Sequence, residues 1–273
     1  MEAQLGRCHN MGHVESPTHT GIIMNKFDCI FINGDSYSAE KDNFFLSDKD
    51  KVYGNFLSRI LNIPVKNVAI PGSSNDRILR SSIEYINDLK QQYQNPLVII
   101  GWSFIRRIEV WYYGDDTSLL KNIPDIKFNE HSKLCTLDFL IDKNEASLEQ
   151  KILVNEDMQV HKALTDFYTK LYLLAKMLES QNLKYLFFSA AKNTDCPTNC
   201  FPFIDSLFQT NWIKQNPSVY QLHEFCIMNW AKENDPEAHP ITGHLSTVGH
   251  EKFAHYLLDV MINKNLTSVQ NAV

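Results

Sequence analysis

Short apolar runs are separated by longer segments of mixed polarity along residues 27–189. The runs are nearly uninterrupted at 27–33 (FDCIFIN), 97–102 (LVIIGW) and 185–189 (YLFFS), and the shorter segment 65–70 (VKNVAI) also suits a strand. Apolar runs of this length are typical of strands that are buried on both faces of a parallel sheet. The pattern therefore predicts four strands of that kind.

The segments around these runs carry apolar side chains at helical spacing. This spacing covers 52–61, 75–93 and 158–183, and it returns at 218–232 and from Ser246 onward. Ser47, with acidic residues behind it, suits the start of the first helix. Strands that alternate with helices predict a parallel sheet covered by helices on both faces, which is an α/β fold.

Two parts of the chain do not follow this alternation. Residues 112–154 predict an insertion or a mixed hairpin. Residues 1–23 lack periodicity and predict a flexible leader, with Met24 as an alternative translation start. We therefore expect one domain over 24–265, which contains the insertion, and a C-terminal tail over 266–273.

Size and charge narrow the classes of function. With 273 residues, 44% of them hydrophobic, the chain can bury the core of one large α/β domain. A net charge of -6 and a pI of about 5.9 argue against a nucleic-acid binder, which usually has a basic face. No apolar run approaches the ~20 residues of a membrane span, and the N-terminus lacks the apolar region of a signal peptide. We expect no nucleic-acid or membrane partner and a cytoplasmic or virion-associated location; the many Asn, Lys and Ile residues fit a phage or bacterial intracellular source.

Six cysteines are scattered along the chain. Cys196 and Cys200 are separated by three residues, which suits zinc or a small disulfide loop, but no second pair lies nearby to complete a zinc site. Cys8 and the histidines of the leader also suggest a metal, although a flexible tail explains them better. We therefore predict free thiols in a reducing compartment, with no metal and no cofactor.

Four small polar segments follow the predicted strands or precede the last helix. They are 34–38 (GDSYS), 70–76 (IPGSSND), 101–103 (GWS) and 243–254 (GHLSTVGHEKFA). Ligands of open parallel sheets bind beyond the carboxyl ends of the strands, so this fold brings the four segments to one rim. The tripeptide GDS alone is compatible with a simple turn and a capping serine, whereas the four segments together predict a catalytic site.

A serine and a histidine at one rim are the parts needed for nucleophilic catalysis. A serine hydroxyl is a poor nucleophile at neutral pH and needs a neighbouring base. Histidine can accept the proton near pH 7 and return it to the leaving group, so activity is expected to decline below about pH 6 as an ordinary imidazole becomes protonated. The oxyanion that forms needs fixed hydrogen-bond donors.

The four segments resemble the sequence blocks of the SGNH/GDSL hydrolase family, over roughly residues 27–263. The resemblance implies a three-layer, flavodoxin-like α/β fold with a central parallel sheet in the order 2-1-3-4-5. It also implies that Ser36, in the GDS block, is the nucleophile of a hydrolase that acts on ester bonds.

The same resemblance implies an oxyanion hole in which Gly72 of the second block supplies a backbone amide. The third block of the family is usually a glycine followed by an asparagine side-chain donor. This chain has Ser103 two residues after Gly101 and no asparagine there. The side-chain donor is then expected to be either Ser103 or Asn75, which belongs to the second block.

The last block of the family carries an acid two or three residues before the histidine. His244 has the matching distance to the final helix and is the predicted base, but no carboxylate occupies the acid positions before it. The alternative base is His239, because Glu237 lies two residues before it. If His244 is the base, either Asp235 or Glu237 folds back to orient it, or the site is a dyad.

The substrate class is less defined than the chemistry. Residues 104–114 (FIRRIEVWYYG) follow the third block. Their arginines either form surface ion pairs near Glu109 or, with the aromatic residues, line a wall for an anionic or sugar-like substrate. We expect a small acyl or acetyl ester, such as an ester of a carbohydrate. The alternatives are an acyltransferase at the same site and a catalytically silent binding module on the same fold.

Overall fold

The computed structural model describes residues 22–24, 27–40, 52–105, 107–112, 126–129, 132–138, 156–190, 216, 219, 225–240, 243–264, 266 and 268–270. The strands are β1 (Ile22–Met24), β2 (Cys29–Asn33), β3 (Val65–Asn67), β4 (Pro96–Trp102), β5 (Arg107–Tyr112), β6 (Ile126–Asn129), β7 (Ser132–Asp138), β8 (Lys184–Ser189) and β9 (Ser268–Gln270). The helices are α1 (Tyr53–Leu61), α2 (Asn75–Gln92), α3 (Glu156–Ser180), α4 (Ile227–Asn234) and α5 (Thr247–Asn263).

A parallel sheet of four strands, in the order β3-β2-β4-β8, forms the centre of the fold. This order is the predicted 2-1-3-4 arrangement of the first four strands. Parallel bridges from Phe187 to Val219 and from Ser189 to Cys226 add a fifth position at the outer edge of β8. The predicted α/β fold with a central parallel sheet is therefore confirmed.

Both faces of this sheet are covered by helices, because the strands have no polar face to turn towards water. On β4, Leu97 and Ile99 pack with α1, α4 and α5 on one side of the sheet. Val98 and Ile100 pack with α2 and α3 on the other side. All four side chains are fully buried, and each contributes about 1.5–3 kcal/mol relative to an exposed position.

The helix boundaries follow local capping, with two corrections. Ser74 caps α2 by accepting the amide of Arg77, and Ser246 caps α5 as predicted. The helix expected over 218–232 begins only at Ile227, because the backbone before it forms the bridges to β8. Ser47, the predicted start of the first helix, lies outside the described residues, and the prediction is wrong because α1 begins at Tyr53 with Val52 as its N-cap.

Two smaller sheets lie outside the central one. In the region of the predicted insertion, β5, β7 and β6 form an antiparallel sheet in that order. The antiparallel pair of β1 and β9 lies at the predicted boundaries of leader and tail. The division into leader, domain, insertion and tail itself stays a prediction.

The part of the chain that the structure describes contains no helix that is long and apolar enough to cross a membrane. Among these residues there is also no group of three His, Cys, Asp or Glu side chains arranged to hold a metal ion. Cys29 and Cys226 are buried free thiols. Cys196 and Cys200 lie outside the described residues.

Candidate active site

The segment that contains Ser36 is a tight turn at the carboxyl end of β2. The Ser38 amide donates to the Asp35 carbonyl at 3.0 Å, and the Asp35 carboxylate accepts the Tyr37 amide at 3.2 Å. A Cβ at Gly34 would lie 2.7 Å from Ser38 Oγ, so a larger residue does not fit there. Within this hydrogen-bonded turn, Ser36 is only 8% exposed.

His244 meets Ser36 at this rim. Its Nε2 lies 2.7 Å from Ser36 Oγ, across 208 residues of sequence. The preceding Gly243 has a φ of 65°, in the left-handed region that favours glycine. The His239 amide donates to the His244 carbonyl at 2.8 Å, which closes the loop before α5. The structure thus brings Ser36 together with His244, while the side chain of His239 is exposed to solvent.

The environment of His244 favours the neutral imidazole. Burial is the main cause, and the nearby charges of His239 and Arg107 act in the same direction. Together they lower the pKa of His244 from 6.5 to about 4. A neutral imidazole can accept a proton at Nε2, as a general base must.

The two carboxylates proposed to orient the histidine have other positions. Asp235 accepts the Ser246 amide at 2.7 Å and the Ser246 hydroxyl at 2.9 Å, and it also accepts the Glu237 amide at 3.1 Å. The side chain of Glu237 is exposed. Asp235 therefore holds the start of α5. In the part of the chain that the structure describes, neither Asp235 nor Glu237 forms a hydrogen bond with His244.

The two candidate side-chain donors are both committed to structural hydrogen bonds. Asn75 accepts the Ser103 amide at 2.8 Å and donates to the Ser103 carbonyl at 3.2 Å, so it clamps the chain after β4. The Ser103 hydroxyl donates to the Asp35 carboxylate at 2.6 Å. Gly72 lies in a turn beyond β3 with a φ of 78°, at the same end of the sheet as Ser36. The assignment of an oxyanion hole to these residues stays a prediction.

An arginine from β5 forms a buried cluster with Ser103 and with Asp35, which is next to Ser36 in the chain. Arg107 Nη1 donates to Asp35 at 3.1 Å and to Ser103 Oγ at 2.9 Å. Burial raises the pKa of Asp35, while the charge of Arg107 and the hydrogen bond from Ser103 oppose that rise. Arg107 therefore forms an ion pair with the fully buried carboxylate of Asp35, and not the surface ion pair near Glu109 that the sequence suggested. Glu109 pairs with Arg80 instead. Arg106, the other arginine of this segment, lies outside the described residues.

Two contacts made by histidine rings near the site were not apparent from the sequence. The ring of Tyr37 stacks on the imidazole of His244, with centroids 4.2 Å apart and an angle of 5° between the planes. The buried His250 accepts the Tyr53 amide through Nδ1 at 3.3 Å. Burial lowers the pKa of His250 to about 3, so it links α5 to α1 as a neutral group. The only sequence signal for the first contact was an aromatic residue directly after Ser36.

Comparisons with known proteins add a family and several structures with a similar fold. A family model described as a family of unknown function (DUF6071) matches residues 40–199. No curated protein is significantly similar in sequence. The psychrotrophic esterase EstA from Pseudoalteromonas sp. is 16% identical, with 88% of this chain and 98% of that chain covered and a TM-score of 0.43. TesA is 12% identical, with 86% of this chain and 99% of that chain covered and a TM-score of 0.45. A lipase/acylhydrolase from Enterococcus faecalis is 12% identical, with 89% of this chain and 99% of that chain covered and a TM-score of 0.38.

Proposed function

Since the chain belongs to DUF6071, a family of unknown function, we propose its activity from the site itself: a serine hydrolase that cleaves ester bonds. Ser36 is the nucleophile and His244 the general base. The observation that carries the proposal is the 2.7 Å separation of Ser36 Oγ and His244 Nε2 at the carboxyl edge of the parallel sheet. The lowered pKa of His244 is compatible with this role, because the neutral imidazole is the form that can accept the Ser36 proton.

The proposed reaction has two steps. In the first, Ser36 Oγ attacks the acyl carbon while its proton passes to His244 Nε2, and the tetrahedral intermediate collapses when that proton is returned to the departing alcohol. In the second, His244 takes a proton from the water that attacks the acyl-serine, and it returns this proton to Ser36 Oγ as the acyl–oxygen bond breaks and the acid leaves. The serine is regenerated, so all atoms and protons balance.

The oxyanion of each tetrahedral intermediate needs donors at the same rim. The backbone amides of Ser36 and Gly72 are the proposed pair, since both belong to turns beyond neighbouring strands of the sheet. Each such donor is worth about 2.7–4 kcal/mol. The polar groups of Ser103 and Asn75 are engaged in structural hydrogen bonds, so their proposed role is to hold the turns at this rim in place. The proposed substrates are small acyl or acetyl esters, including those of carbohydrates.

Covalent labelling tests the nucleophile. A fluorophosphonate probe should label the parent protein at Ser36, and Ser36→Ala should abolish labelling and lower the rate with nitrophenyl acetate about a thousandfold or more. Ser58→Ala is the matched control, because that hydroxyl donates to the Ile63 carbonyl at 2.6 Å, away from the site. The control should keep labelling and rate. A parent protein that resists the probe, or a Ser36→Ala variant that retains full activity, would show that the nucleophile is misassigned.

Paired histidine variants test the base. His244→Gln should lower the rate with nitrophenyl acetate by about a hundredfold or more, while His239→Gln should stay within about threefold of the parent. His255→Gln, on the exposed side of α5, controls for loss of a surface histidine. The reverse pattern, with His239 essential and His244 dispensable, would identify His239 as the base.

A further inference from the structure

A general base works only while its ring is held in the plane that presents Nε2 to the nucleophile. The imidazole of His244 can rotate about two single bonds, and a misplacement of about 1 Å in a catalytic group can cost about a hundredfold in rate. Asp235, one of the two carboxylates predicted to orient this ring, is instead hydrogen-bonded to Ser246. The contact that the structure shows on the face of the imidazole is the ring of Tyr37.

Tyr37 is well fixed for such a contact. It is 2% exposed, and its amide is held by the Asp35 carboxylate at 3.2 Å. Its ring lies 4.2 Å from the imidazole and is parallel to it within 5°. Because Tyr37 directly follows Ser36, one short turn supplies both the hydroxyl that faces Nε2 and the surface on which the imidazole lies.

We propose that Tyr37 is a positioning residue, whose ring fixes the plane of the His244 imidazole so that Nε2 faces Ser36 Oγ. This inference rests on the proposed function, since it concerns the geometry of the same serine and histidine. The essential feature is the flat ring rather than the phenol hydroxyl. A phenylalanine should therefore substitute for Tyr37, and a leucine of similar hydrophobicity should not.

The same contact keeps water away from one face of the imidazole. Burial is the largest cause of the low pKa of His244. If the Tyr37 ring is removed, water reaches that face and the pKa of His244 should rise towards its ordinary value. This effect is distinct from a general loss of stability, which lowers the amount of folded protein without moving the pKa.

Three variants separate positioning from packing. Tyr37→Leu should lower kcat for nitrophenyl acetate about 10- to 100-fold with KM within about threefold, while Tyr37→Phe should keep kcat within about threefold. Tyr168→Leu is the matched control, because Tyr168 is also buried but packs on the opposite face of the sheet. That control should keep the parent kcat per folded molecule. Equal losses in Tyr37→Phe and Tyr37→Leu, or no loss in either, would overturn the proposal.

Histidine NMR titration gives a readout that does not depend on activity. The pKa of His244 should rise in Tyr37→Leu and stay at the parent value in Tyr37→Phe, while the signal of His250 serves as an internal reference. An unchanged His244 pKa in Tyr37→Leu would also overturn the proposal. If the fluorophosphonate probe fails to label Ser36, the proposed function fails, yet this titration still shows whether Tyr37 holds the imidazole.

Discussion

Replacing Arg107 with methionine should destabilise the protein in a pH-dependent manner. Its guanidinium lies 3.1 Å from the carboxylate of Asp35, whose side chain is fully buried, and the side chain of Arg107 is itself only 16% exposed. Methionine keeps the apolar stem and much of the volume of the side chain but leaves Asp35 without this countercharge. Removing one partner of a buried ion pair typically costs about 3–5 kcal/mol.

The magnitude is limited by the alternative open to Asp35, which is to take up a proton. With an unfolded-state pKa of about 3.9, protonation costs about 4 kcal/mol at pH 7 and about 1.5 kcal/mol at pH 5. Loss of Arg107 raises the folded-state pKa of Asp35 further, so the penalty relative to the parent grows as pH rises above the parent's own Asp35 pKa, which burial already raises. We expect a loss of up to about 3–4 kcal/mol at pH 7 and a clearly smaller loss at pH 5.

Urea unfolding at the two pH values measures this difference. The Asp35→Asn/Arg107→Met double variant should recover most of the loss at pH 7, because both charges are gone. Lys176→Met is the control, since its ion pair with Glu179 joins side chains that are 45% and 36% exposed, where an ion pair adds little to stability and the expected loss is small. An equal loss for Arg107→Met at pH 5 and pH 7, with no recovery in the double variant, would refute an electrostatic role for Arg107.

Two further predictions concern His244 and the helix α5 that follows it. Because the pKa of His244 is lowered to about 4, the decline expected below about pH 6 for an ordinary imidazole shifts to lower pH: kcat/KM for nitrophenyl acetate should stay level from pH 7 to about pH 5 and decline only below that. A midpoint near 6.5 would contradict the burial argument. Gly249→Ala should cost about 1–3 kcal/mol in urea unfolding, because the added methyl group would clash with the Asp235 carboxylate that holds Ser246. Gly54→Ala should cost less, since there the methyl group meets the flexible end of an isoleucine side chain, and equal losses at the two glycines would count against this account.

Much of the fold is predictable from the pattern of apolar residues. Strands β2, β4 and β8 begin and end within two residues of the predicted bounds. A short run that is apolar throughout is fully buried when it forms a central strand covered on both faces, so the ends of the run mark the ends of the strand. The start of α4 was predicted about nine residues too early. The segment 218–226 has a pattern that suits a helix, but Val219 and Cys226 within it are bridged to β8, which is a long-range contact that local spacing does not encode.

The candidate site shows the same division. The proximity of Ser36 and His244 follows from their places at the end of a strand and before a helix, and the geometry agrees. The partner of Arg107 did not follow, because Asp35 lies 72 residues away and the contact depends on where the chain runs after it leaves the central sheet at the end of β4. Spacing also placed Asp235 near the histidine without showing that its carboxylate turns towards Ser246.

The pairing of β1 with β9 has a mechanical consequence. Ile22 lies opposite Gln270, so the outer ends of the two strands are at the same end of this antiparallel pair. Force applied to the chain through these two points would open the hydrogen bonds between β1 and β9 one after another, as in a zipper. The central sheet would carry the load only after this pair had separated, so an early rupture at low force should precede the main unfolding event.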